Sequence, residues 1–315
     1  MIVTLTANPS LDRTVELPGP LAVGEVQPAS GAREDAAGKG INVARVLHAA
    51  GDAVRGVLPL SPADPYATAL GQGLPTVAVP VSGNARANIT LTDPAGTTTK
   101  INLPGAALDE PTRRALIDAV VAVCARDDAG WLALCGSLPP GAGDDFYVDV
   151  IRAVRERVAR PPLIAVDTSG AALARVVAGG RPDLIKPNED ELAELAGRAL
   201  PDAALPEAVA LLAREIVPGR VGAALVTLGG AGAVLVTADE ALHAPIPRGV
   251  AVRSTVGAGD SALAGYLHAD AAGLPAAARL VSAVRYGSAT ASLPGTQLAT
   301  PADLPSGDVA VAAVP

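Results

Sequence analysis

The stretch STVGAGDS (Ser254–Ser261) sets two glycines around an alanine, adds an aspartate and then turns helical. Backbone N–H groups at a helix start favour anions. Those of Gly257, Ala258 and Gly259 suit charge growing on a transferring group. Asp260 at that edge is placed either to cap the helix or to take a proton from an attacking hydroxyl. The segment also fits GxGxxA, the dinucleotide fingerprint. That motif requires a buried strand before it and an acidic residue about 20 positions on, whereas Asp270 follows too soon.

Four other segments carry chemistry-bearing residues. AAGKGINVARVL (Ala36–Leu47) places Gly38-Lys39-Gly40 before an amphipathic helix, which joins a full positive charge to a helix start. It is not the phosphate loop of NTPases, which needs an earlier glycine and a Ser or Thr after the lysine. CGSLPPG (Cys135–Gly141) follows an apolar run, so Ser137 is either a ligand donor at the carboxyl end of a strand or part of a Pro-stiffened turn. In IKPNEDEL (Ile185–Leu192) the spacing of Asn188 and Glu191 is that of a capping box. It also suits a hydrated Mg²⁺ beside phosphates. VTLGGAGAVL (Val226–Leu235) is a hairpin turn or a backbone surface against which a nucleotide lies flat.

These segments need a frame. Strands are expected at Ile2–Thr6, Ala53–Leu58, Trp131–Cys135, Leu163–Val166, Leu184–Ile185, Ala223–Thr227 and Ala233–Thr237. Helices are expected at Ile41–Ala50, Thr112–Ala125, Asp144–Ala159, Glu189–Ala196, Leu205–Ile216, Asp260–Ala271 and Ala276–Ala291. Such alternation predicts an α/β fold, with a parallel sheet covered on both faces. Thr14–Ser30 and Arg86–Leu103 break the rhythm as polar alternating strands. The second reads as a hairpin turning at Asp93-Pro94-Ala95-Gly96. Together they predict a small half-exposed sheet. The tail after Pro301 is loosely patterned and is expected to be partly mobile.

Composition narrows the function. The 315 residues carry a net charge of −8, which disfavours a nucleic-acid partner. Half of the residues are hydrophobic but only 2% aromatic, so the core must be built from Ala, Val and Leu. Cys124 and Cys135 form no CxxC pair and the three histidines are scattered, which argues against a His/Cys metal site. No leader-like N-terminus and no bilayer-length apolar run is visible, so the expected setting is the cytoplasm, away from membranes.

In this order the segments resemble the ribokinase-like sugar kinases of the PfkB family, within it the 1-phosphofructokinase and tagatose-6-phosphate kinase branch. TLTANPSLDRTV, GEV, AAGKGINVARVL, RANITLT, GSLPPG, KPNEDEL, TLGGAG and STVGAGDS carry the resemblance across nearly the whole chain. It implies a three-layer α/β/α domain over residues 1–315, with a mostly parallel central sheet. It also implies a β-sheet lid from about 12–34 and 84–103, which often forms a homodimer contact. The implied chemistry is ATP- and Mg²⁺-dependent phosphorylation of a sugar phosphate. Asp260 would be the base and Gly257, Ala258 and Gly259 the anion hole. Asp12, Gly38, Lys39, Asn42, Arg86, Asn88 and Ser137 would hold the acceptor. Lys186, Asn188, Thr227, Gly229 and Gly232 would line the nucleotide site, with Asn188 and Glu191 holding Mg²⁺ through water. Fructose 1-phosphate is the expected acceptor. Fructose 6-phosphate, tagatose 6-phosphate or an unphosphorylated sugar is the alternative, and a non-catalytic sugar-phosphate sensor the remote one. The chain departs from the branch at Gln27-Pro28, at Thr90 where lysine is common, and at VLPLS (Val57–Ser61). Lys39, Arg86, Lys100 and Arg33 are then the cations left for the acceptor.

Overall fold

The structure, a computed structural model, describes residues 1–201 and 205–315. β1 (Ile2–Thr6), β2 (Ser10–Glu16) and β3 (Gly31–Ala37) lead into α1 (Lys39–Ala49). β4 (Val54–Pro59), α2 (Pro65–Leu70) and β5 (Thr76–Val79) follow, then the hairpin of β6 (Arg86–Thr92) and β7 (Thr98–Asn102). Next come α3 (Glu110–Arg126), β8 (Trp131–Cys135), α4 (Phe146–Arg157), β9 (Leu163–Asp167), α5 (Gly170–Arg175) and β10 (Leu184–Ile185). α6 (Glu189–Ala196), α7 (Leu205–Ala213), β11 (Ala223–Thr227), β12 (Ala233–Val236) and β13 (Ala241–Ala244) precede the helical pair α8 (Ala258–Ala271) and α9 (Ala276–Ala291). β14 (Ala312–Ala313) closes the order.

A ten-stranded sheet has the order β14-β13-β12-β11-β10-β9-β8-β1-β4-β5. From β5 to β11 its neighbours run parallel, and β12, β13 and β14 continue it antiparallel. The parallel strands are apolar on both faces because helices cover both. Val3 and Leu5 of β1 join one core with α3, α4, α6 and α7. Ile2 belongs to the other, with α1, α8 and α9. These are the three layers that the strand-helix alternation predicts.

The small sheet is separate, with four strands in the order β3-β2-β6-β7. β2 pairs parallel with β6 and antiparallel with β3. Its hairpin turns where expected: Asp93 Oδ1 accepts from the amides of Ala95 and Thr97, both at 2.9 Å. The register puts Asp12, Thr14, Arg33, Asp35, Arg86, Asn88, Thr90 and Lys100 on one face. Val15, Ile89, Leu91 and Ile101 lie on the other.

Two expectations are corrected. The strand placed at Thr14–Ser30 is instead β2 and β3 flanking an irregular loop. Pro18, Pro20 and Pro28 in that loop have no amide to donate to a ladder. The strands of the small sheet span 10–16, 31–37, 86–92 and 98–102. The tail is anchored: β14 pairs with β13, and the Val314 amide donates to the Ala241 carbonyl at 2.8 Å. β5, α2, α5 and β13 were not anticipated; all are short, with too few residues to show a period. No helix among the described residues is long and apolar enough to cross a membrane.

The α8–α9 crossing depends on a missing side chain. A Cβ on Gly265 would lie 2.6 Å from the Ser282 carbonyl oxygen and 2.8 Å from Tyr286 Cδ2. Gly265→Ala is therefore expected to cost about 1–3 kcal/mol, as overpacking does. Urea unfolding should show a lower midpoint at unchanged slope; an unaltered midpoint would refute the crossing as described.

Candidate active site

The carboxyl ends of the parallel strands face the N-termini of α1 and α8, the place where open α/β sheets leave a crevice. A cavity of about 600 Å³ opens there. Its polar end is formed by Lys39, Lys186, Asn188, Glu191 and the Gly257–Asp260 turn. Ile246, Val250, Val252 and Val284 make its apolar wall.

Both helices begin without a capping side chain. Gly257 is the N-cap of α8, in the left-handed region at φ +77° where glycine is favoured, and Gly38 is the N-cap of α1. The first amides of each helix are thus free of a side-chain acceptor. Asp260 is not the cap; it lies in the first turn of α8, and its Oδ2 accepts from Asn42 Nδ2 at 2.7 Å. The capping reading of Asp260 is overturned for this reason. Gly40 also has a packing role: a side chain there would collide with the Thr6 hydroxyl and approach the Leu5 carbonyl at 2.8 Å. This seats α1 directly on the end of β1.

At the centre is a residue absent from the sequence-based set. Asp167, the last residue of β9, is completely buried. Lys39 Nζ donates to its Oδ1 at 2.8 Å, and Lys186 Nζ lies 3.3 Å from its Oδ2 as an ion pair. Burial alone would raise the Asp167 carboxyl, but the two ammonium groups outweigh it and hold it below its ordinary value. The same contact lifts Lys39 further above its ordinary value, against the effect of burial. Asp260, only 6% exposed, is pushed the other way, up to about 6. Burial is the main cause and the Asp167 charge the second, opposed by Lys39, Asn42 and Lys186. The signal for Asp167 was present, since LIAVD ends an apolar strand in a carboxylate. The expected strand stopped one residue short of it.

Lys186 is 4% exposed, and its Nζ would lie 3.2 Å from a Cβ on Gly259. The absent side chain lets the ammonium approach the start of α8. Across the cavity the Asn188 side chain accepts from the Glu191 amide at 2.7 Å, and Glu191 Oε2 accepts from the Asn188 amide at 2.9 Å. The capping box is therefore formed, with Asn188 and Glu191 still lining the cavity. Among the described residues no three His, Cys, Asp or Glu side chains gather to hold a metal ion. Asn188 and Glu191 offer one amide oxygen and one carboxylate to the cavity, which suits a cation that keeps most of its own waters, as Mg²⁺ does. Thr227, Gly229 and Gly232 line the far end of the cavity, where β11 and β12 form the hairpin. A side chain on Gly232 would strike the Ala244 carbonyl, whereas nothing lies within 4 Å of a Cβ on Gly229. That turn is both a hairpin and an open backbone surface.

The small sheet brings a second polar group. Asn88 Nδ2 donates to Asp12 Oδ1 at 2.8 Å. Burial raises the Asp12 carboxyl despite that bond and the nearby Arg86. Asn88 Oδ1 and Arg86 Nε are buried without a hydrogen-bond partner, so both are left to meet a ligand or water. Ser137 accepts from Asn8 Nδ2 at 3.3 Å, and a Cβ on the adjoining Gly136 would lie 3.7 Å from Lys39 Cβ. Arg33 is not available to an acceptor, because its guanidinium is bound to Asp35 and Thr296. Gln27 is likewise engaged within its own loop, with Oε1 accepting from the Ala22 amide and Nε2 donating to the Pro20 carbonyl. Lys100 stands directly across from Thr90 on the polar face.

Comparison with known proteins gives the chemistry a family. The 1-phosphofructokinase of Rhodobacter capsulatus is 38% identical over 295 residues, covering 91% of this chain and 89% of that protein. The ATP-dependent 6-phosphofructokinase isozyme 2 of Escherichia coli is 32% identical, covering 82% of each. The crystal structure of phosphofructokinase-2 from Escherichia coli in complex with potassium superposes with a TM-score of 0.86 at 30% identity, over 96% of each chain. Arabidopsis thaliana ribokinase shares the fold, with a TM-score of 0.70 at 20% identity over 96% of this chain and 95% of that one. The description "pfkB family carbohydrate kinase" fits residues 6–305. The chain belongs to that family, and it is a phosphotransferase with an alcohol group as acceptor.

Proposed function

We propose that the protein transfers the γ-phosphoryl group of ATP to the 6-hydroxyl of fructose 1-phosphate, giving fructose 1,6-bisphosphate. The observation that carries this reading is the pairing of an uncapped α8 N-terminus with a buried carboxylate on its first turn, both facing one cavity. Asp260 takes the proton of the acceptor hydroxyl as its oxygen bonds to the γ-phosphorus, and the bond to the leaving ADP oxygen breaks. The amides of the Gly257–Gly259 turn hold the charge on the transferring group. Lys186 and Lys39 supply the flanking positive charge, and Asp167 keeps both in place. Asn42 aims Asp260. Asn188 and Glu191 would hold Mg²⁺ through water, and the charge it supplies when bound would screen the triphosphate. Thr227, Gly229, Gly232 and the apolar wall receive the nucleoside.

Asp12, Asn88, Arg86, Ser137 and the Gly38 end of α1 bind the acceptor, with the small sheet as its lid. The two buried atoms left unpartnered on Arg86 and Asn88 support that role. The relatives named 1-phosphofructokinase favour fructose 1-phosphate. Relatives named for 6-phosphofructokinase activity favour the second reading, fructose 6-phosphate. The apolar face of the lid carries Ile101 at 46% exposure, and Leu103 beside it is 45% exposed. A second copy covers this face in a homodimer. Both cysteines are free and buried, which suits the reducing cytoplasm.

The primary test is ADP release with MgATP over fructose 1-phosphate, fructose 6-phosphate, tagatose 6-phosphate, fructose and ribose. The highest kcat/KM is expected with fructose 1-phosphate, and preference for fructose 6-phosphate would establish the second reading instead. Asp260→Asn should lose turnover by about 100-fold or more, the scale of general-base catalysis. Its thermal midpoint at pH 7 should not fall. A folded-state carboxyl raised to about 6 makes ionisation a cost to the fold, absent below the unfolded value of 3.8 and complete above about 6. The base must be ionised to act, so wild-type kcat/KM should rise with pH up to about 6 and then level; a flat profile from pH 5 to 7 would remove Asp260 from the role. Sedimentation should give a dimer mass, with Ile101→Glu shifting it towards monomer.

A further inference from the structure

The small sheet is fastened to the loop after α9 by a closed set of hydrogen bonds. Arg33 Nε donates to Asp35 Oδ2 at 2.8 Å, and Arg33 Nη2 donates to Thr296 Oγ1 at 2.7 Å. The Thr296 hydroxyl spends its one proton on the same Asp35 oxygen, at 2.7 Å. Arg33 and Asp35 are β3 residues, whereas Thr296 lies in the loop after α9. Nη2 would be 2.8 Å from a Cβ on Gly295, so the guanidinium rests on the backbone of that loop. The group is partly exposed, at 46% for Arg33 and 34% for Asp35, so it is weak as a stability device. Its geometry is nevertheless specific, because one hydroxyl must accept and donate at once.

The same loop reaches the anion-binding turn from the other side. Ser254 Oγ donates to the Gly295 carbonyl at 2.6 Å. A Cβ on Gly257 would meet Leu298 Cδ2 at 2.6 Å, so Leu298 packs against the N-cap of α8. The Ala299 amide donates to Thr290 Oγ1 at 3.0 Å, and Thr290 donates to Ser261 Oγ of α8 at 2.7 Å, all buried. Residues 295–299 thus lie between the small sheet and the start of α8, hydrogen-bonded to the sheet through Thr296, packed on the Gly257 N-cap through Leu298 and linked to Ser261 through Thr290 of α9.

We infer that Arg33, Asp35 and Thr296 form a latch that couples the position of the small sheet to the shape of the Gly257–Gly259 turn. These are positioning residues: with the latch shut, the sheet covers the acceptor and the loop presses the turn into its anion-binding form. The inference rests on the kinase reading for its catalytic consequence, though not for the coupling itself.

Thr296→Val keeps the volume and removes the hydroxyl; Thr296→Ser restores it. Amide hydrogen exchange on the ligand-free protein should quicken in Thr296→Val both across 31–37 and across 256–261, and return to wild-type rates in Thr296→Ser. Quickening confined to 31–37, or none at all, overturns the coupling. With the acceptor found by the substrate panel, Thr296→Val should lower kcat about tenfold, equivalent to about 1.4 kcal/mol, because an interaction used in the transition state is lost. The KM for MgATP should stay within about twofold, a loss on kcat alone marking transition-state rather than uniform binding. Hydrolysis of ATP should rise relative to transfer as the loosened sheet admits water. A variant that loses thermal midpoint yet keeps kcat and the transfer ratio would overturn the positioning role. Absence of turnover by the wild-type chain on any sugar or sugar phosphate would count against the kinase reading alone, because the exchange experiment decides the coupling without substrate.

Discussion

One buried carboxylate holds the site together. Asp167 has no exposure, and two lysines, one opening α1 and one following β10, converge on it. Without it, two ammonium groups would face each other in a low-dielectric pocket, where repulsion and desolvation both oppose charge. With it, each ammonium has a carboxylate oxygen to pair with and a fixed direction. The arrangement also acts on Asp260, whose carboxyl feels the Asp167 charge as repulsion and the lysines as attraction. Buried ion networks of this kind seldom add net stability. This one is better understood as a scaffold that fixes two cations at the polar end of the cavity, where the proposed reaction would place phosphates.

The surrounding fold serves that scaffold. Asp167 ends β9 and Lys186 follows the neighbouring strand β10, while Lys39 opens α1, the helix seated on the end of β1. Gly40 lets α1 sit on β1, and Gly259 lets Lys186 reach α8. Strand ends and helix starts are the places where a sheet of this kind has unused polar backbone. The chemistry is therefore concentrated where the architecture leaves donors free.

Much of this was legible from residue order, and the parts that were not share a cause. Trp131–Cys135 and Ala223–Thr227 are unbroken apolar runs because both their faces are covered, and such runs announce buried strands. Glu189–Ala196 and Ala276–Ala291 were bounded correctly because Asn188 and Pro275 mark their starts. The parallel pairing of β2 with β6 has no local signature, since it joins segments far apart in the chain. Asp167 and Thr296 were missed for a similar reason: their partners, Lys39 and Arg33, are remote in sequence. Asn188 and Glu191 showed the opposite ambiguity, as one spacing serves a cap and a hydrated cation alike.

The uncapped starts of α1 and α8 have a consequence beyond the reaction. On the proposed reading, an anion in the cavity would complete amides that no side chain caps, and its occupancy would then contribute to folding free energy by mass action. The folded population would then track the supply of the ligand that the site is proposed to bind. A cell that runs short of it would expose more of this protein to its proteases, so the abundance of the enzyme would follow its workload.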